Sequence, residues 1–154
     1  MDQLLFRTTL TDERKTAALA RQIAPLLMTG DTLLLEGEIG AGKSAFARAL
    51  IRARLGRMED VPSPTFTLVQ TYEDPQGDIW HCDLYRLTHP DEALELGLAE
   101  AFDTAICLIE WPDRLGDDIP PGGLHLAFTA GDTAHQVEIS GSQSWAERVA
   151  GLHV

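Results

Sequence analysis

Eight consecutive residues, Gly37-Glu38-Ile39-Gly40-Ala41-Gly42-Lys43-Ser44, constrain this chain more than any other stretch. They satisfy G-x-x-x-x-G-K-[ST], and their neighbours suit that pattern. Thr32-Leu33-Leu34-Leu35-Glu36 ahead of them is an apolar run of strand length. Behind them, Lys43–Leu55 mixes Ala, Phe, Leu, Ile and Arg as a helix does, with Arg48 and Arg52 on a polar face. In a strand–loop–helix of this kind the glycines permit positive φ and close backbone approach, so successive N–H groups can surround phosphate oxygens. The helix N-terminus adds partial positive charge at the same point. Lys43 would reach the β- and γ-phosphates, and Ser44 would offer its hydroxyl to Mg²⁺.

The net charge of −12 sharpens this reading. An acidic chain that takes a nucleoside triphosphate must compensate charge locally, through Lys43, backbone N–H groups and Mg²⁺, so the metal is part of the expectation. The same charge argues against a stand-alone nucleic-acid binder, which gains affinity by neutralising phosphates with clustered cations. Here the cations are ten arginines and two lysines, Lys15 and Lys43. No apolar run approaches the ~20 residues that span a membrane. The N-terminus lacks a basic stretch followed by an apolar block, so no secretory signal is expected. Cys82 and Cys107 each lie in an apolar, strand-like stretch and read as small buried hydrophobes of a reduced compartment.

With no repeat or linker-like tract, residues 1–154 read as one domain. Residues 12–28 carry Ala17, Leu19, Ala20, Ile23, Ala24 and Leu27 at helical spacing, with Thr11 or Asp12 as cap and Pro25 tightening the last turn. After the breaker Pro62-Ser63-Pro64-Thr65, residues 66–72 alternate as a half-exposed strand, and 79–84 return as its hairpin partner. A helix begins at Pro90 and leads into a strand at 105–110. Strands at 124–129 and 134–139 flank the Gly131-Asp132 turn, and a short helix starts near Ser144. Early helix–strand alternation followed by hairpins predicts an α/β fold with a mixed sheet, flanking helices and antiparallel hairpins.

Two strands end in carboxylates. Ile106-Cys107-Leu108-Ile109-Glu110 does so just before Trp111-Pro112, and Ile79-Trp80-His81-Cys82-Asp83 is the less apolar of the two. Phosphate-loop proteins hold Mg²⁺ partly through an acidic residue at the end of a neighbouring buried strand. Either residue could face the metal or organise an attacking water. Either could also serve structure alone, Asp83 by capping a turn or pairing with Arg86, Glu110 by capping the turn at Pro112. Spacing places Glu110 nearer the metal and leaves Asp83 to the water or to a place behind the metal's own ligands. Thr65, in its rigid loop between the phosphate-loop helix and the hairpin, reads equally as a plain turn residue leading into the strand or as a metal-sensing switch threonine, whose topological position it holds. His81 beside Cys82 has no partner spacing for zinc, and His89, His125, His135 and His153 read as surface residues.

Guanine specificity needs an Asn/Thr-Lys-x-Asp loop downstream, and no lysine follows Lys43. A phosphotransferase (kinase) acting on a small acceptor is the alternative. It needs several cations on the transferring group, and only Arg86, Arg114 and Arg148 follow Arg57. From the residues alone the reading stops at an Mg-ATP-binding P-loop protein, hydrolase or switch.

Taken together, GDTLLLEGEIGAGKS, VPSPTFTLVQTYE, HCDLYRL and ICLIEWP, in this order, resemble the TsaE (YjeE) family of tRNA threonylcarbamoyladenosine biosynthesis ATPases. The resemblance runs over about residues 11–115. It implies a P-loop NTPase fold and a cytoplasmic bacterial ATPase working with the TsaB and TsaD proteins. Its nucleotide cycle would support repeated N6-threonylcarbamoyl transfer to adenosine 37 of tRNAs that read codons beginning with A. The transfer chemistry would belong to the partners, and tRNA would be met only through the complex. By motif, the resemblance assigns phosphate contact to Gly37, Glu38, Ile39, Gly40, Ala41, Gly42, Lys43, Ser44 and Ala45. It assigns Mg²⁺ to Ser44 and Glu110, the catalytic carboxylate to Asp83, the switch to Thr65 and nucleotide contact to Trp111. It also implies a further nucleotide contact within residues 11–16, with Thr11 among the candidates. Where the family often has G-K-T-T, this chain has Gly42-Lys43-Ser44-Ala45, which keeps the metal hydroxyl and leaves Ala45 only its backbone N–H.

Overall fold

All of Thr32–Glu36 except its last residue is buried, and so is all of Ile106–Glu110, because both strands lie inside a seven-stranded sheet with a helix layer on each face. Such strands read as unbroken apolar runs rather than alternating ones. The computed structural model describes residues 2–64 and 67–154. Its strands are β1 (Gln3–Leu10), β2 (Thr32–Glu36), β3 (Val69–Tyr72), β4 (Ile79–Asp83), β5 (Ile106–Glu110), β6 (Leu124–Ala130) and β7 (His135–Gly141). They are ordered β1-β7-β6-β2-β5-β4-β3. β6, β2, β5 and β4 run parallel, and β3 and β7 pair antiparallel with β4 and β6. The mixed sheet and its antiparallel hairpins are therefore as the sequence predicts.

β1 pairs antiparallel with β7 and so points the same way as β6. The carboxyl ends of β1, β2, β4, β5 and β6 thus all open on one edge of the sheet. In open α/β sheets that edge is where ligands bind.

α1 (Glu13–Ile23) starts at Asp12, whose side chain accepts from Lys15 N at 3.1 Å, and gives way to a tight turn at Ala24–Leu26 carrying Pro25. α2 (Lys43–Leu55) ends at Gly56, whose left-handed φ of 71° lets its N–H reach Arg52 O. These two helices cover the face that carries Leu33, Leu35, Ile79, Ile106 and Leu108. The helix begun at Pro90 is two helices, α3 (Pro90–Glu95) and α4 (Leu98–Thr104), broken where Gly97 turns left-handed at φ 92°. They cover the opposite face, with Cys82, Cys107 and Ile109. α5 (Gln143–Arg148) packs Trp145 into the first core, and its indole donates to Gly122 O.

A shifted strand start and an unread strand are the main departures from the sequence reading. The strand expected from residue 66 begins at Val69, because Leu68 takes a left-handed φ of 68° and its N–H closes onto Pro64 O. β1 went unread: it is an outer strand with a pairing irregularity between Leu4 and Phe6, and its inward row after that point is Phe6, Thr8 and Leu10.

Candidate functional site

The loop of residues 37–42 leaves β2 at the convergent edge and enters α2 through Gly42, at φ 109°. Gly37 must be glycine, since a Cβ there would lie 2.5 Å from the Phe128 carbonyl oxygen of β6. The Lys43 ammonium turns back over the loop. It donates to Gly37 O at 2.5 Å and Glu38 O at 2.9 Å, and lies 4.6 Å from the centre of the Trp111 ring. An ammonium has three protons, so one remains for an anion above the loop. Burial lowers the Lys43 pKa, while the carboxylates of Glu110, Asp83 and Glu38 work against that loss of charge.

β4 and β5 are parallel neighbours with Asp83 opposite Glu110, so both carboxylates leave the sheet at one level beside the start of α2. Glu110 is 2% exposed and both its oxygens are engaged. Oε1 accepts from Ser44 Oγ at 2.8 Å, and Oε2 lies 2.7 Å from His81 Nε2. Among the described residues its side chain meets Ser44 and His81 rather than the turn at Pro112. Asp83 is 6% exposed and accepts from Tyr85 N at 3.1 Å, so it does cap the turn that follows it while facing the same cavity.

Trp111 has a left-handed backbone, φ 59° and ψ 53°, uncommon for a bulky residue and of the kind that collects at functional sites. That twist swings the indole off the end of β5 and over Lys43. Tyr85 packs against the indole at 5.0 Å, and the Arg114 guanidinium lies over both rings.

Together these groups line a cavity of about 760 Å³, within the range of about 300–1,000 Å³ typical of small-molecule sites. From the loop and helix start the wall takes Ile39, Gly40, Gly42, Lys43, Ser44 and Ala45, and from the strand ends Asp83, Glu110 and Trp111. Gly37, Glu38 and Ala41 act from behind: two lend carbonyls to Lys43, and Ala41 is fully buried with its N–H on Glu38 O. Thr11 is in the wall with Asp12, Glu13 and Thr16, delivered there by β1. Thr65 lies outside the described residues.

Sequence reasoning missed the far wall, formed by the β6–β7 turn at residues 131–134 and by His135. His135 is half-buried rather than on the surface, with a ring carbon 3.9 Å from where a Cβ on Gly42 would stand. Nothing local marks it, because only the pairing order of the sheet brings that turn beside the phosphate loop. Arg48 and Arg86 add cationic lining.

For a cation, the hydroxyl of Ser44 and the carboxylate of Glu110 are hard oxygen donors in contact with each other. Among the described residues no group of three or more His, Cys, Asp or Glu side chains gathers as a metal cage. Mg²⁺ is bound in just this sparse way, through one or two carboxylates with phosphate and water oxygens completing an octahedron. The donor set fits that ion.

A family description of the "Threonylcarbamoyl adenosine biosynthesis protein TsaE" matches residues 10–139. The curated proteins that the chain is similar to include three described as tRNA threonylcarbamoyladenosine biosynthesis protein TsaE. That of Rickettsia bellii is 41% identical over 120 residues, covering 78% of this chain and 83% of the relative. That of Bacillus subtilis is 37% identical over 139 residues, covering 89% and 85%. That of Haemophilus influenzae is 32% identical over 134 residues, covering 83% and 84%. Among solved structures, the crystal structure of Bacillus subtilis YdiB superposes with a TM-score of 0.80 at 28% identity, covering 97% of this chain and 93% of that one.

Proposed function

Because the chain belongs to the TsaE family and has its place in tRNA threonylcarbamoyladenosine biosynthesis, we propose that it serves that modification by binding and hydrolysing Mg-ATP. One observation carries the reading: the Ser44–Glu110 hydrogen bond of 2.8 Å stands beside Lys43 at the mouth of the glycine loop. Bound between that hydroxyl and carboxylate, Mg²⁺ would draw charge from the β- and γ-phosphate oxygens. Lys43 and the backbone of residues 37–45 hold the phosphates. Asp83 orients a water toward the γ-phosphorus and takes its proton as the bond to the leaving ADP breaks. Trp111 and Tyr85 screen the phosphates from solvent. Thr11 and the 131–135 turn face the nucleoside end. Thr65 is proposed as the residue that senses the γ-phosphate.

The acidic surface gives the chain little grip on tRNA, so the proposed partners are the TsaB and TsaD proteins, with tRNA met through them in the cytoplasm. No described helix is long and apolar enough to cross a membrane. Phosphorylation of a small acceptor has less support. Of the arginines after Arg57, Arg86 lines the cavity, whereas Arg148 is tied to Asp31 at 2.5 Å and Arg114 lies over aromatic rings.

The test is ATP hydrolysis by the purified protein with and without TsaB and TsaD. Turnover should rise in the mixture, and Lys43→Ala should abolish ATP binding. Unchanged turnover with no nucleotide-dependent complex would sink the partnership. Unchanged binding by Lys43→Ala would sink the site.

A further inference from the structure

His81 has no place in the chemistry above, yet it is 1% exposed and its ring nitrogen lies 2.7 Å from Glu110. β4 alternates, so His81 and Asp83 share a face, and the parallel register sets His81 opposite Leu108, two residues before Glu110. The other ring nitrogen, Nδ1, is buried with no hydrogen-bond partner among the described residues. A proton on Nδ1 would be a buried N–H without an acceptor. Nε2 is therefore assigned as the nitrogen that donates, to Glu110 Oε2.

We infer that His81 is a positioning residue that sets which cation the site accepts. By holding Oε2 it divides the carboxylate, leaving Oε1 alone to face Ser44 and the phosphate loop. A carboxylate held in this way favours ligation through Oε1, since bidentate ligation would turn or share Oε2 against its hydrogen bond to His81. Mg²⁺ is suited by that, since it demands a compact octahedron at about 2.0–2.1 Å with few protein ligands. Ca²⁺ is penalised, since it takes six to eight oxygens at about 2.3–2.6 Å and gains from bidentate carboxylates. Outer partners of this type orient a ligand from behind and are worth about 10–100-fold in metal affinity. The inference rests on the Mg-ATP reading and adds to it a determinant of metal identity.

Calorimetric titration of ATP into the full chain, in Mg²⁺, in Ca²⁺ and in EDTA, tests both without depending on turnover. The unaltered protein should bind ATP about tenfold or more tighter with Mg²⁺ than with Ca²⁺. His81→Leu, which keeps bulk and removes the donor, should lose about 10–100-fold in Mg²⁺-supported affinity and much less with Ca²⁺, erasing the preference. His81→Gln, whose amide nitrogen stands near the position of Nε2, should restore it. Should the leucine variant fail to fold, His81→Asn, with an amide too short to reach Glu110, takes its place. Equal losses with both cations, or a preference unchanged in the leucine variant, would overturn the inference and leave the Mg-ATP reading standing. Binding by the unaltered protein that is as tight in EDTA as in Mg²⁺ would overturn both.

Discussion

β4 and β5 show two different chemistries on alternate residues. Toward α1 and α2 they present Ile79, His81 and Asp83, and Ile106, Leu108 and Glu110, an apolar start that ends in three polar groups at the phosphate loop. Toward α3 and α4 the same two strands present Trp80, Cys82, Cys107 and Ile109, against Leu98, Ala101 and Leu115. Backbone, register and depth are shared, so the difference lies in what covers each face. A helix N-terminus with a hydroxyl and an ammonium can satisfy buried carboxylates, whereas an apolar helix pair leaves nothing for a charge to meet. On the proposed reading, function is confined to one row of side chains and the neighbouring row serves stability.

Substitutions in the two rows should separate those roles. The largest effect is expected from Asp83→Asn, which keeps an acceptor for Tyr85 N but no longer takes a proton. Turnover should fall about 10²–10⁴-fold, the usual worth of general-base catalysis, with ATP affinity nearly intact. Glu110→Ala should also impair turnover, by about 10–100-fold, and should weaken the dependence of ATP binding on Mg²⁺. A titration of activity against Mg²⁺ for both variants distinguishes them. A changed metal requirement in Asp83→Asn alone would reverse the division between the two carboxylates.

Next comes the apolar row. Ile109 is fully buried one residue before Glu110, so Ile109→Ala should cost about 2–5 kcal/mol in urea unfolding. The affinity of the folded fraction for Mg-ATP should not change. A loss of affinity would mean that the apolar face shapes the site, and the separation of roles would fail.

How much of this was legible in the sequence follows from how far apart the contributing residues lie. The strand, loop and helix of residues 32–55 are contiguous, and their pattern is strong because glycine, lysine and serine at fixed offsets have few other uses. Glu110 and Asp83 were legible because a carboxylate at the end of an apolar run is costly without a cation or donors. The donors themselves were only half legible. Ser44 belongs to the loop, but His81 meets Glu110 solely through the register of two strands joined by α3 and α4. The same reason hid β1 and the 131–135 turn. β1 is placed by pairing with the distant β7, and its inward Thr8 blurs the alternation that would have marked it. Once β1 is in place, Thr11 reaches the cavity as a consequence of its direction. Trp111 was visible as a neighbour of the site, but its left-handed backbone, which turns the indole over Lys43, has no local sequence signal.

The smallest effect concerns the two thiols of the apolar row. Burial pushes the Cys107 thiol up to about 12 and raises that of Cys82 well above 9.0, with Cys107 and Glu110 nearby adding to the rise. Only the thiolate reacts with disulfide reagents, so neither cysteine should react in the native protein at pH 8, and both should react once urea unfolds it. The sign of the pH effect follows. With the folded pKa raised, the unfolded chain loses its thiol protons first. Stability is therefore whole below about pH 9 and falls as pH climbs toward the folded values. Burial also raises the pKa of Tyr72, which acts in the same direction, so the slope alone does not identify the thiols. Cys82→Ala with Cys107→Ala removes their share and should flatten the alkaline limb of the urea-midpoint profile while Tyr72 remains. An unchanged limb in the double variant, or fast reaction of either thiol in the native protein, would mean that water reaches the face of the sheet covered by α3 and α4. The contrast between its two rows would then be one of sequence and not of environment.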